Sequence, residues 1–175
     1  MELIRQGDTA QLALLFERHH LGLFRYLVGM TRDRALSEDL VQEVFFRVLK
    51  YARTYDVAQS FSAWLFGMAR NAYFDSRHKR RGELSTVELD EMRSSEPMAE
   101  EMFSKKQDAL LLRKALDNLP EEKRELLLLS RFQNLRYEEI ARILGCEIGT
   151  VKVRVYRALK ELREKFCDLR GEKVV

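Results

Sequence analysis

The sequence predicts an all-α protein in which a flexible acidic linker joins two small helical modules. Apolar residues recur at helical spacing along nearly the whole chain, whereas the alternating pattern of strands is almost absent. Glycine and proline are scarce, at 8 and 2 of the 175 residues. Between positions 83 and 101 seven acidic residues accompany a single arginine, and basic runs lie on either side. We therefore predict a first module at residues 1–82, a linker at 83–106, a second module at 107–170 and a tail at 171–175.

Composition sets the broad class of the protein. An apolar content of 46% is enough to build packed cores in a chain of this size. The first residues carry charge and run straight into a helical pattern, so we expect no signal peptide, no membrane insertion and a cytoplasmic location. The two cysteines, Cys146 and Cys167, lie 21 positions apart with no histidine nearby. We expect reduced thiols rather than a disulfide framework or a zinc site.

The first two helices are predicted from apolar periodicity. Apolar residues repeat every three or four positions over residues 9–31, which is typical of one amphipathic helix. Ser37 is the predicted N-cap of the second helix, with Glu38 and Asp39 in the first turn, where carboxylates suit the helix dipole. Its predicted buried face consists of Leu40, Val41, Val44, Phe45, Val48 and Leu49.

The third helix and the start of the second module are also predicted from candidate caps and apolar spacing. Ser60 is the predicted N-cap of the third helix, which should end near Arg81, just before Gly82. Regular helical spacing returns near Gln107. Pro120 should then open another helix, since its missing N–H is not needed at that position. The run LLLL at 126–129 is the predicted buried body of this helix, after two glutamates in its first turn.

From position 137 the sequence predicts a helix-turn-helix. Gly145 tolerates the left-handed conformation that ends a helix, Ile148 is predicted to plug the turn, and Thr150 to cap the second helix. The predicted buried positions are Ile140, Ala141, Ile143, Leu144, Val151, Val155, Ala158, Leu159 and Leu162.

The residues left on the outer face of that second helix are mostly basic. Such a helix can enter the major groove of duplex DNA, where cationic groups meet guanine edges and phosphates. The alternative is an ordinary solvated face on a helical hairpin. The outward residues are Lys152, Val153, Arg154, Tyr156 and Arg157.

Four segments in this order resemble the extracytoplasmic-function (ECF) group of bacterial RNA polymerase sigma factors. They are SEDLVQEVFFRVL at 37–49, FSAWLFGMARNAYFD at 61–75, LPEEKRELLLL at 119–129 and YEEIARILGCEIGTVKVR at 137–154. The resemblance implies sigma domain 2 and sigma domain 4, joined by the linker, in a protein that directs promoter-specific transcription initiation. The implied partners are core RNA polymerase, through its β′ clamp helices and β flap, promoter DNA, and an anti-sigma factor.

The resemblance assigns the second module to the minus-35 promoter element. Val153 departs from the family, which often has serine at this position, so no base preference is carried over. The implied minus-35 contacts are Tyr137, Thr150, Lys152, Val153, Arg154, Tyr156 and Arg157.

A ridge on the second helix is a candidate docking surface. Asp39, Gln42, Glu43 and Phe46 lie three or four positions apart, opposite the apolar stripe, with Phe46 as a possible anchor. The alternative from the residues alone is a solvated face with one exposed aromatic. The resemblance implies that this ridge binds the β′ clamp helices.

The third helix ends in a basic run with aromatic side chains interleaved, a combination typical of single-stranded DNA binding. The alternative is that Phe61, Trp64 and Tyr73 are simply core aromatics. The resemblance implies that this helix and the preceding loop capture the melted minus-10 element with a flipped base. The implied contacts are Tyr55, Asp56, Gln59, Ser60, Trp64, Arg70, Asn71, Asp75, Arg77, Lys79 and Arg80.

Other function classes have less support in the sequence. No nucleophile-base arrangement, phosphate-binding glycine loop or metal motif is present, so we expect no catalysis, cofactor or metal. Two rivals remain at this point. One is an autonomous helix-turn-helix regulator that binds duplex as a dimer, and the other is a helical adaptor whose basic faces bind acidic proteins.

Overall fold

The computed structural model describes residues 10–83 and 103–171. The N-terminal module contains helices α1 (Ala10–Thr31), α2 (Arg34–Lys50) and α3 (Phe61–Glu83), with a 3₁₀ turn at Ala52–Thr54 after α2. The C-terminal module contains α4 (Phe103–Asp117), α5 (Glu121–Leu127), a π-helical turn (Leu128–Phe132), α6 (Tyr137–Leu144) and α7 (Ile148–Arg170). The predicted all-α fold is confirmed. Most of the predicted linker, at 84–102, and most of the tail, at 172–175, lie outside the described residues.

The start of α2 corrects one prediction. The helix begins three residues before Ser37, because Asp33 is its N-cap and its Oδ1 accepts a hydrogen bond from the Leu36 N–H at 3.0 Å. Ser37 instead lies buried within the helix, and its hydroxyl donates to the Asp33 carbonyl at 2.5 Å. The predicted Ser60 cap of α3 is confirmed, since its Oγ accepts from the Ala63 N–H at 3.1 Å.

The other predicted boundaries shift by a few residues. Helix α3 continues through Gly82 to its last residue, Glu83, so this glycine does not end it. Helix α4 begins at Phe103, four residues before the predicted return at Gln107. Pro120 stands immediately before α5, and the two glutamates after it occupy the first turn as predicted.

The two modules share a hydrophobic core. Inside the N-terminal module, α1, α2 and α3 bury residues such as Leu27, Val44 and Leu65. Leu128 and Ile140 of the C-terminal module belong to this same buried cluster. A second cluster lies among α4, α5 and α7 and consists of Leu116, Leu119, Leu127 and Ala158. The C-terminal module therefore packs both on itself and against α1 and α3.

Within residues 10–83 and 103–171, none of the helices has the length and apolar content needed to cross a membrane.

Candidate nucleic-acid interface

The turn between α6 and α7 has the geometry of a helix-turn-helix. Gly145 ends α6 in the left-handed conformation (φ 63°), which costs glycine no steric penalty. The Cys146 N–H then donates to the Ala141 carbonyl at 3.0 Å and closes the turn. At the other end of α6, the Arg136 N–H donates to the carboxylate of Glu139 at 2.8 Å. Both ends of this short helix are thus fixed by local hydrogen bonds.

The start of α7 differs from the sequence prediction. Thr150 does not cap this helix, which begins at Ile148 after an N-cap residue, Glu147, that makes no side-chain cap hydrogen bond. Ile148 does not plug the turn, since its side chain is 39% exposed. Residues Leu144 and Cys146 pack against the core from this turn instead. The backbone turn is therefore as predicted, but different side chains fill it.

The outer face of α7 is open to solvent. Val151, Val155 and Ala158 are buried, and the intervening residues point away from the module. Tyr156 is 71% exposed, and Val153 is 50% exposed. The predicted exposed side of this helix is confirmed, and so is the burial of Val151, Val155 and Ala158, whereas Leu159 and Leu162 are only half-buried. All five outward residues are exposed: Lys152, Val153, Arg154, Tyr156 and Arg157. Tyr137, the remaining predicted minus-35 residue, opens α6 and is half-buried against the core.

The predicted docking ridge on α2 is also free. Asp39, Gln42, Glu43 and Phe46 are all exposed, and Phe46 is 64% exposed. Arg47 lies beside this ridge and joins it to α3, because its guanidinium pairs with Glu43 at 2.8 Å and with Asp75 at 3.0 Å. The hydrogen bond to Glu43 raises the pKa of Arg47 above its ordinary value.

The loop before α3 is tied down by its own side chains. Tyr55 is buried, packs on Trp64 at 4.9 Å between ring centroids, and donates its hydroxyl to the Gln59 carbonyl at 2.6 Å. Asp56 accepts from the Ala58 N–H at 2.9 Å. Burial raises the pKa of Tyr55, and the neighbouring Asp56 adds to the effect. Tyr55 therefore shapes the loop from beneath, rather than projecting from it.

A cleft of about 620 Å³ brings several of the predicted minus-10 residues together. Gln59, Trp64, Asn71 and Asp75 line it, together with Arg142 of α6. The sequence analysis missed the contribution of α6 to this cleft, and also that of two residues at the end of α2 and just after it. These two are Arg47 and Tyr51. The spacing of Arg47 four positions after Glu43 was the available signal for its position beside the ridge.

The remaining basic residues of α3 divide into two groups. Lys79 and Arg80 are exposed near its end, and Arg80 pairs with Asp33 at 3.5 Å. Arg70 and Arg77 instead face the C-terminal module, where both pair with glutamates of α5. These two arginines do not line the cleft formed by Trp64 and its neighbours.

A buried polar cluster joins the modules, and the sequence analysis missed it. The Tyr26 hydroxyl of α1 donates to Glu125 Oε1 of α5 at 3.1 Å, and Arg70 Nε lies 3.0 Å from the same oxygen. Burial raises the pKa of Glu125, while the charge of Arg70 opposes the rise. The signals were a tyrosine in the apolar stripe of α1 and a glutamate directly before the LLLL run.

Metal binding has no support in the part of the chain that the structure describes. No group of three or more histidine, cysteine or acidic side chains is placed there to hold an ion. Cys146 and Cys167 are free thiols. The adjacent histidines pack on aromatic rings, with His19 against Phe61 and His20 stacked on Phe16.

Comparison with known proteins identifies relatives for both modules. The sigma-70 region 2 family matches residues 15–83, and the sigma-70 region 4 family matches residues 109–162. The chain is 30% identical over 172 residues to the ECF RNA polymerase sigma factor SigE of Mycolicibacterium smegmatis, covering 95% of this chain and 66% of SigE. It is 32% identical over 164 residues to the ECF RNA polymerase sigma factor SigL of Mycobacterium tuberculosis, covering 93% of each.

A solved structure is similar across both modules. It is the sigma factor RpoE in complex with the anti-sigma factor NepR from Bartonella quintana. The match has a TM-score of 0.69 and a sequence identity of 26%, and it covers 90% of this chain and 96% of RpoE.

Proposed function

Because this chain belongs to the ECF group of sigma-70 RNA polymerase sigma factors, we propose that it divides promoter recognition between its two modules. It is a non-enzymatic initiation factor that binds core RNA polymerase and promoter DNA and directs transcription initiation. The proposal concerns which of its surfaces meets which partner. The open face of α7 is the observation that carries it.

In this proposal α7 enters the major groove at the minus-35 element. Arg154 and Arg157 supply guanidinium groups for guanine edges or phosphates, and Val153 supplies an apolar contact such as a thymine methyl. Three buried residues on the opposite side hold the helix in the module, so these side chains are presented without rearrangement. Tyr137 opens α6 and Thr150 lies in the first turn of α7. In the proposal both are within reach of the DNA phosphates that border the major groove.

The cleft beside α3 is the proposed minus-10 site. Trp64 offers an aromatic face for an unstacked base, and Asn71 and Gln59 offer amide groups for its edge. Lys79 and Arg80 supply positive charge near the end of the same helix. Tyr55, Asp56 and Ser60 shape the loop, and Asp75 lines the cleft. Arg70 and Arg77 belong to the proposed surface of α3 and pair with glutamates of α5 in the structure.

Docking on the polymerase is assigned to the ridge of α2. An exposed aromatic ringed by polar side chains is the usual form of an interface anchor, and Phe46 fits that description. We assign this ridge to the β′ clamp helices and the C-terminal module to the β flap. The cytoplasm, where core polymerase and the chromosome meet, is the corresponding location.

An anti-sigma factor is a further proposed partner. The support is the similarity to RpoE, which was solved in complex with the anti-sigma factor NepR. Such a partner would mask one or both modules.

The test of this division is initiation by core polymerase supplied with the purified chain, on genomic fragments whose start sites are then mapped. We expect discrete start sites, and a loss of initiation of about fivefold or more with Arg154→Gln, since one good base contact is worth about 1–3 kcal/mol. Arg163→Gln is the matched control, because Arg163 is exposed on the same helix outside the proposed site. Equal activity of the two variants would remove α7 from the proposal. Tight duplex binding by the chain without core polymerase would favour the autonomous regulator.

A further inference from the structure

The cleft beside α3 has the size and the lining of a small-molecule site. Its volume of about 620 Å³ lies within the range of about 300–1,000 Å³ that is usual for such sites. The N-terminal module supplies an aromatic surface and two amides, and α6 supplies Arg142 and Ile143. Residues of both modules therefore line one volume, whereas every contact proposed for the minus-10 strand belongs to the N-terminal module.

Trp64 gives the cleft a surface on which a planar group can stack. Its side chain is half-buried, packs on Tyr55 at 4.9 Å between ring centroids, and lines the cleft. Tyr55 is itself fixed by the hydrogen bond from its hydroxyl to the Gln59 carbonyl at 2.6 Å. Because this support is fixed, Trp64 is held in place before a ligand arrives, which lowers the entropic cost of stacking.

Two amide side chains border the same space. Gln59 and Asn71 both line the cleft, and neither side-chain amide has a hydrogen-bond partner among the described residues. An amide carries both donors and an acceptor, so it can pair with the edge of a heterocyclic base, adenine above all. The cleft thus combines a stacking surface with free groups for the edge of the stacked ring.

The charged residues of the cleft leave one positive charge unbalanced. Arg47 is already engaged, since its guanidinium pairs with Glu43 at 2.8 Å and with Asp75 at 3.0 Å. Arg142 is exposed at the cleft, and no acidic side chain within residues 10–83 and 103–171 pairs with it. A free guanidinium is suited to a phosphate group, which can accept two of its N–H groups at once.

We propose that this cleft binds a free nucleoside monophosphate, whose base stacks on Trp64 beside the two amides while its phosphate pairs with Arg142. The inference adds a ligand to a cleft whose role at the promoter is itself proposed, and it rests on the same use of Trp64 as a stacking surface. It differs from that role in needing a residue of the C-terminal module. The source of the nucleotide also differs, since a free nucleotide carries its phosphate without a strand.

The chain offers a direct reporter for this site and a way to fill it. Trp64 is the only tryptophan, so its fluorescence reports on the cleft alone. Gly67 lines the cleft one turn further along α3, and a Cβ there would meet no atom within 4 Å. Gly67→Leu therefore fills the cleft while favouring α3 as a helix. Gly67→Ala is its milder counterpart, which leaves most of the space open.

The experiment titrates the full chain, without polymerase, with AMP, with adenosine and with ribose 5-phosphate. Trp64 fluorescence, excited at the red edge of indole absorption, and the heat of binding are the two readouts. We expect saturable quenching by AMP with half-saturation below about 1 mM. Adenosine and ribose 5-phosphate should each bind about tenfold more weakly, since one lacks the charged contact and the other lacks the base.

The variants assign the two halves of the ligand. Arg142→Gln should weaken AMP binding about tenfold and leave adenosine unchanged, because it removes only the charge-assisted hydrogen bonds to the phosphate. Gly67→Leu should abolish binding of both, and Gly67→Ala should keep it. Arg163→Gln is the matched control for lost charge, since Arg163 is exposed on α7 and does not line the cleft.

Several outcomes would overturn the inference. They are no saturable quenching of the wild-type chain by AMP up to about 1 mM, equal affinity for AMP and ribose 5-phosphate, or equal AMP affinity of the wild type and Arg142→Gln. A short single-stranded adenine oligonucleotide distinguishes the two sources of a base. If Arg142→Gln weakened the strand as much as AMP, Arg142 would belong to a strand site and not to a free nucleotide. Start-site mapping with core polymerase tests the promoter function separately, so a failure of AMP to bind would overturn this inference alone.

Discussion

The α7 face and the α3 face are both basic helical surfaces proposed to meet DNA, but they differ in their contacts with the rest of the protein. The side chains of α7 project into solvent from a helix fixed by its own module. On α3, two of the arginines are paired with carboxylates from the other module. If α3 meets DNA as proposed, Arg70 and Arg77 serve both the fold and the ligand with the same guanidinium groups. Mutations on the two faces should therefore differ in what they change.

The largest expected difference is in stability. Arg70→Ala leaves Glu125 buried with only the Tyr26 hydroxyl as a partner, and should lower the free energy of unfolding by about 3 kcal/mol, since it breaks a buried ion pair. Arg154→Ala removes the same side chain from the exposed α7 face and should change it by no more than about 0.5 kcal/mol. Urea denaturation of the full chain measures both. Equal values for the two variants would contradict a structural role for Arg70.

The pH dependence of stability separates two buried carboxyls of the C-terminal module. Burial raises the pKa of Glu125 from 4.5, so the folded chain holds this proton more tightly than the unfolded chain. The contribution of the Glu125 carboxyl to the free energy of unfolding is complete below pH 4.5. It is lost as the pH rises through the folded pKa, with a slope of at most about 1.4 kcal/mol per pH unit. Glu125→Gln should flatten this decline in urea denaturation midpoints above pH 4.5.

Glu139 provides the opposite case and hence the control. Burial opposes the shift, but hydrogen bonds from Ser60 and the Arg136 N–H lower the pKa of Glu139 from 4.5. The contribution of the Glu139 carboxylate to the free energy of unfolding is present above pH 4.5 and is lost as the pH falls through the folded pKa. Glu139→Gln should therefore flatten the acid side of the profile only. A flattening on the same side in both variants would show that the two directions are wrong.

The sequence predicted what depends on one helix and its neighbours along the chain. The buried and exposed sides of α7 follow from periodicity, and the turn at Gly145 follows from its tolerance of positive φ. The exposure of Phe46 was predicted in the same way. The pairing of Tyr26 with Glu125 was not predicted, because these residues are 99 positions apart and meet only through the packing of two modules.

The N-cap predictions had a more local weakness. Serine and threonine are frequent caps, and the sequence offers Ser37 and Thr150 where an acidic residue stands a few positions earlier. Which residue caps depends on where the backbone leaves the extended region, and this occurs at Asp33 and Glu147. When two candidate N-cap residues lie within one turn of each other, residue type alone does not show which of them caps the helix.

The smallest expected effect compares those two caps. Asp33 accepts the Leu36 N–H at 3.0 Å, so Asp33→Ala should lower the free energy of unfolding by about 1 kcal/mol, the usual value of a capping side chain. Glu147 makes no such bond at the start of α7, and Glu147→Ala should change stability by less than about 0.5 kcal/mol. Asp33→Asn is the second control: it retains a capping oxygen but weakens the pairing with Arg80 at 3.5 Å. If Asp33→Asn lost as much stability as Asp33→Ala in urea denaturation, the pairing with Arg80, rather than the cap, would be what stabilises this end of α2.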